Sequence, residues 1–156
     1  MIRIGIGIVI AVQFLLTGCA TPTKMAYSDE TTSVVVPSNS VFLMTATLKN
    51  TYHPSHQPTL LVVNVEKAGA KEKADRFNFT MDKQAKFKET NKAEEGNLYL
   101  LRMELPPGTY EIVGLNCMSS GFPAGFFYAP LHENLTVLGS GVFYLGHVDA
   151  TVRERT

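Results

Sequence analysis

The sequence predicts an all-β fold: a single antiparallel β-sandwich behind an N-terminal signal helix and a short tether. Three observations carry that expectation. Apolar residues in the body recur at every second position, the period of a strand with one buried face. Turn-forming clusters punctuate the chain at Tyr52-His53-Pro54-Ser55, Pro106-Pro107-Gly108, Ser119-Ser120-Gly121 and Gly139-Ser140-Gly141. The body contains no 12-residue apolar stripe at helical spacing and no internal repeat. Six or more short strands with such punctuation form the pattern of a sandwich.

The chain opens with one cation, Arg3, followed by an apolar run over residues 4–16 broken only by Gly5, Gly7 and Gln13. Thirteen residues are too few to cross a bilayer core, which takes about 20. They match the apolar region of a secretory signal. The run ends in Leu16-Thr17-Gly18-Cys19, which resembles the lipobox of bacterial lipoproteins. That resemblance implies cleavage after Gly18, a covalent lipid on Cys19 and residues 1–18 as signal peptide. Each buried lipid methylene adds about 0.8 kcal/mol of membrane affinity, so two or three acyl chains anchor almost permanently. Ala20 follows the cysteine where an Asp commonly retains such proteins in the inner membrane, which points to the outer membrane, facing the periplasm.

Residues 19–39 read as the lipidated N-terminus and a flexible tether, rich in Thr and Ser with Pro22 and Pro37, although Val34-Val35-Val36 could add an edge strand. Twenty flexible residues reach roughly 25 Å. The remainder, residues 40–156, reads as one domain. Over 41–49, Phe42, Met44, Ala46 and Leu48 share one face, opposite Thr45, Thr47 and Lys49. Over 59–66, Leu61, Val63 and Val65 group opposite Asn64 and Glu66. Over 98–105, Tyr99, Leu101, Met103 and Leu105 group opposite Arg102 and Glu104. Segments 110–117 and 135–138 also read as strands. In the last, 142–152, Tyr144, Gly146, Val148, Ala150 and Val152 are expected on one face.

Residues 66–95 stand apart, with eight basic and seven acidic residues around Phe77, Phe79, Met81 and Phe87. Alternation predicts a strand over 76–81, and the Lys-rich remainder suits a solvated edge that resists further pairing.

Leu105-Pro106-Pro107-Gly108-Thr109-Tyr110 is the most informative motif of the body. The prolines end one strand because they cannot donate to a ladder. Gly108 supplies a turn. Tyr110 then opens the next strand with its ring inward and its hydroxyl placed to cap backbone at the corner. The motif resembles the strand–corner–strand signature of immunoglobulin-like and transthyretin-like sandwiches, including carboxypeptidase regulatory-like domains. With the lipobox and the closing Gly141-Val142-Phe143-Tyr144-Leu145-Gly146, the chain is similar to small envelope lipoproteins of unknown function. The resemblance implies a fold and carries no active site to transfer.

Composition narrows the function classes. Removing Arg3 leaves 13 basic and 14 acidic residues, one net negative charge, which offers no electrostatic case for nucleic acid. With Cys19 taken by lipid, Cys117 has no partner within the chain. His53 and His56 flank Pro54-Ser55 and provide two metal-ligating groups where a site needs three or four, even with His132 and Glu133 in view. His147, Asp149 and Thr151 alternate onto one face, so an acid–base pair or a Cys117–His147 couple is conceivable, but both residues are already accounted for by strand patterning. Four aromatics crowd the Gly/Pro-rich stretch Gly121-Phe122-Pro123-Ala124-Gly125-Phe126-Phe127-Tyr128. Exposed, Phe122, Phe126, Phe127 and Tyr128 would form a partner patch; folded back, they would complete the core. The resulting expectation is a membrane-anchored, non-catalytic interaction or structural module with an envelope protein partner and no cofactor beyond the lipid. The alternative is a small-ligand or metal-binding domain.

Overall fold

Alternation places apolar side chains on one face of each segment, and those faces meet between two sheets. A computed structural model of the chain describes residues 22–27, 31, 38–90, 92–119 and 124–154. Residues 16–19, Val34-Val35-Val36 and Phe122 lie outside the described residues. The strands are β1 (Pro22–Thr23), β2 (Ser40–Asn50), β3 (Pro58–Lys67), β4 (Arg76–Thr80), β5 (Lys86–Lys88), β6 (Asn97–Leu105), β7 (Gly108–Ser119), β8 (Phe126–Val137) and β9 (Gly141–Val152). The only helical turn among the described residues is a 3₁₀ turn at Lys73–Asp75. One sheet has the order β1-β4-β3-β7-β8 and the other β5-β6-β2-β9.

The all-β expectation holds, but the sheets are mixed rather than antiparallel. β2 runs parallel to β9, and β1 runs parallel to β4. The chain leaves β8, crosses between the sheets through residues 138–140, and enters β9 beside the start of β2, where Ser40 pairs with Gly141. Alternation in sequence records which face a residue takes and carries nothing about strand direction.

Tyr99, Leu101, Met103 and Leu105 of β6 are fully buried, and Phe42, Met44, Ala46 and Leu48 of β2 lie beside them. Val63, Val65, Phe79, Tyr110 and Leu115 supply the opposing sheet. Two polar contacts pin the sheets to each other. The Leu60 N–H donates to the Tyr99 hydroxyl at 3.2 Å, and Asn97 Nδ2 donates to the Pro58 carbonyl at 2.8 Å. Three bulges shift the sequence-based faces. An extra residue at Leu61 buries Leu60 instead. The stretch around Val113 faces Leu131 and His132, and His132 adopts φ 54°. In β9, Leu43 pairs with Tyr144 and Met44 with Gly146, so Leu145 is the extra residue. Tyr144 therefore faces outward, opposite to the expected face, while Gly146, at φ 118°, starts the inward series.

The two long sides of the sandwich differ. On the β1/β5 side the connection from β4 to β5 closes the gap. Met81 N–H donates to the Leu61 carbonyl at 3.2 Å, and Ala85 N–H donates to Asp82 Oδ1 at 2.8 Å. Residues 22–27, expected within the tether, pack here too. β1 pairs with β4, Met25 and Ala26 are buried, and the Ala26 N–H donates to the Arg102 carbonyl at 2.8 Å. Arg102, expected on a solvent face, is buried beneath this segment; its Nε donates to the Ala26 carbonyl at 2.8 Å and its guanidinium pairs with Asp82. On the opposite side β8 and β9 are the terminal strands of their sheets and are not hydrogen-bonded to each other.

Candidate functional site

The open side is built from two 12-residue strands whose inner faces are apolar and half covered. β8 contributes Phe127, Ala129, Leu131 and Leu135, and β9 contributes Val148 and Ala150, all packed partly against the core. Two hollows lie along this seam. The first, about 340 Å³, sits between residues 127–131 and residues 148–152. The second, about 430 Å³, sits between Leu131, Glu133 and Leu135 on one side and Leu145, Gly146 and Val148 on the other. Neither lining contains Lys or Arg.

Large apolar side chains are exposed near the start of each of these strands, and the two starts lie at opposite ends of the seam. Phe126 is 81% exposed and Tyr144 63%, and Tyr128, Leu138, Val142, Phe143 and Leu145 are also exposed. Phe143 stacks on Phe42 at a centroid distance of 5.6 Å and leaves its outer face to solvent. Exposed apolar groups concentrated on one side mark interaction surfaces, whereas scattered ones need no explanation.

Of the aromatic stretch, Phe126, Phe127 and Tyr128 begin a strand rather than occupy a loop. They pair with Met118, Cys117 and Asn116 of β7. Alternation then splits them: Phe127 turns toward the core while Phe126 projects to solvent. Tyr128 is half committed, because its hydroxyl donates to the Val113 carbonyl at 2.9 Å. It lies so close over Gly114 that a Cβ there would stand 2.7 Å from the Tyr128 hydroxyl.

Alternation alone does not mark the apolar quartet Val142-Phe143-Tyr144-Leu145 as a surface. Its signal is present nonetheless: four consecutive apolar residues in a strand cannot all face one core, so some must face outward.

The remaining chemical candidates fall apart from one another. His53 and His56 sit in the turn after β2, with ring centroids 5.8 Å apart and the Tyr52 ring tilted against His53 at 4.0 Å. His132 is at the bulge in the middle of β8, paired with Glu111 at 2.7 Å. Among the described residues no three His, Cys, Asp or Glu side chains gather as metal ligands. A further hollow of about 450 Å³ beside Tyr52, His53, His56 and Phe127 is mostly apolar. His147 lies on the outer face of β9, its Nδ1 2.8 Å from Thr45 Oγ1 and its Nε2 3.2 Å from Thr47 Oγ1. Asp149 turns instead to Lys49, 3.4 Å away. Cys117 is in the core, on the other side of the sheet surface from His147, and burial pushes its thiol up to about 12. A thiol held neutral this strongly is a poor nucleophile.

Comparison with family models, with curated proteins and with solved structures finds no match for this chain.

Proposed function

We propose that the chain is a membrane-anchored envelope lipoprotein whose sandwich is a non-catalytic module that docks a protein along its β8–β9 side. Leu16-Thr17-Gly18-Cys19 supports the anchor, with a lipid on Cys19 as the only attached group, and Ala20 supports an outer-membrane site facing the periplasm. The observation that carries the docking reading is the contrast between the two long sides. One is closed by the β4–β5 connection and the Arg102 contacts; the other leaves apolar hollows and a rim of aromatics uncovered. Exposed sheet edges recruit strands through main-chain hydrogen bonds, with alternate side chains giving specificity.

Two measurements test this reading. Radiolabelled palmitate incorporates into the native chain and not into Cys19→Ala; equal labelling removes the anchor from the proposal. A photo-crosslinking residue at Tyr144 captures protein in intact cells, and the same residue at Phe87, on the opposite edge of that sheet, does not. No capture from Tyr144 removes the docking surface. The apolar hollow near Tyr52 and Phe127 favours a second reading, a small-molecule site. That reading requires a compound to co-purify with the protein and to raise its melting temperature on re-addition.

A further inference from the structure

We infer that the partner along the β8–β9 side is a second copy of this chain, joined by antiparallel pairing of β9 with β9 about a two-fold axis. This rests on the docking reading above and names the occupant.

Among the described residues the sheets have four terminal strands, and three are protected against pairing. β1 is two residues long. β5 is three residues long, carries Lys86 and Lys88, and is surrounded by the ion pairs Lys86–Glu89, Lys88–Glu95 and Lys92–Glu95. β8 carries Pro130, which has no N–H, followed by the bulge at His132. Short length, lysine, proline and bulges are the devices that stop edges from recruiting other strands. β9 has none of the first three. It runs for 12 residues without Pro, Lys or Arg, and Asp149 is its one charged residue. Among the described residues nothing pairs with the outer edge of β9, which Val142 to Leu145 border.

Three features favour a second copy over a lone strand. Both sheets end on the same long side, so a single extended peptide can lie along one edge only. A two-fold copy covers both at once, with β9 against β9 and the β8 rims facing each other across the hollows. Residues 141–148 hold no Lys, Arg, Asp or Glu, so apposing two copies brings no like charges together there. Asp149 lies toward one end of the strand, and antiparallel pairing places the two Asp149 side chains at opposite ends, each beside its own Lys49. The same surface patch then meets itself, as an isologous two-fold interface requires. Finally, the N-terminal segment leaves from β1, at the opposite edge of its sheet from β8, so an anchor does not obstruct the contact.

The test uses the full-length protein in its membrane. Single substitutions Val142→Cys, Phe143→Cys, Tyr144→Cys and Leu145→Cys are oxidised and run without reductant, with Phe87→Cys on the β5 edge as the exposed control. Cys117 is buried and does not compete. At least one β9 position gives a species of twice the chain mass, at ten or more times the yield from Phe87→Cys. Val142→Lys, at an exposed position, weakens the association of the detergent-solubilised protein at least tenfold by sedimentation, while its circular dichroism stays native. Equal yields from Phe87→Cys, or no doubled species from any of the four, overturns the second copy. The photo-crosslinker at Tyr144 separates the two proposals. Capture of a different protein alone leaves the docking surface standing and removes the self-pairing; capture of nothing removes both.

Discussion

The Tyr110 hydroxyl donates to the Pro106 carbonyl oxygen at 2.8 Å, closing the corner between β6 and β7 with the ring fully buried. The ring also meets Phe77 edge-on at 5.7 Å. Tyr110→Phe keeps the ring and removes only the hydrogen bond, so urea unfolding shows a loss of about 1 kcal/mol. Tyr110→Ala also opens a cavity and costs about 3–5 kcal/mol. Equal stability of Tyr110→Phe and the native chain would show that the corner does not depend on the hydroxyl.

Arg102→Ala leaves the Ala26 carbonyl and Asp82 without their partner. Breaking a buried ion pair costs about 3–5 kcal/mol, and the partial exposure of Asp82 reduces this to about 2. The decisive reading is local. Hydrogen exchange at the Ala26 amide, which donates to the Arg102 carbonyl, accelerates more than exchange in β3. Uniform acceleration would mean that Arg102 supports the whole sandwich rather than the docked segment.

Burial raises the Cys117 thiol from 9.0 to about 12 and the Tyr99 phenol from 10.0 to about 12. Both groups hold their protons more tightly when folded than when unfolded. Their contribution to stability is therefore complete below pH 9 and is lost as the pH rises toward 12. Unfolding midpoints fall across that window, and Tyr99→Phe flattens the upper part of the fall. In the native protein Cys117 resists a thiol reagent at pH 8 and reacts once urea unfolds the chain. Rapid labelling without denaturant contradicts this burial.

Gly146→Ala tests the β9 bulge. A Cβ there meets nothing within 4 Å, but the backbone sits at φ 118°. The substitution costs about 1–3 kcal/mol from backbone strain alone. Gly139→Ala is the control: its Cβ also has open space, and its backbone is not at a positive angle, so it changes stability by less than about 0.5 kcal/mol. Equal effects at the two glycines would assign no strain to the bulge.

Sequence alternation located β2, β4, β6 and β7 and most of their inward faces, because a half-buried strand has no other way to sort its side chains. The Pro-Pro-Gly-x-Tyr corner was legible for the same reason: each residue performs a backbone task that few others can. Bulges were not. One extra residue at Leu61 or Leu145 reverses every face beyond it, and no residue type announces the insertion apart from Gly146. The parallel pairing of β2 with β9 joins residues about 100 positions apart, which local patterning does not encode. Arg102 reads as a surface cation until residues 22–26 are laid over it. The open side is half visible in sequence: the aromatics at 126–128 stand out, while the stronger edge at 142–145 reads as ordinary strand.

The docking of Pro22 on β4 fixes a point only three residues beyond Cys19. Three residues span at most roughly 10 Å, against roughly 25 Å for a free tether of twenty. On the proposed reading, a lipid on Cys19 would hold the sandwich on the bilayer surface with little freedom to stand off or tumble. The β8 rim lies four strand spacings from β1, roughly 20 Å away, on the outboard side. The search for the proposed partner would then be two-dimensional. Encounters of a chain so anchored would occur by lateral diffusion at a nearly fixed height and tilt, so an edge too weak to pair in dilute solution would still be occupied on a membrane.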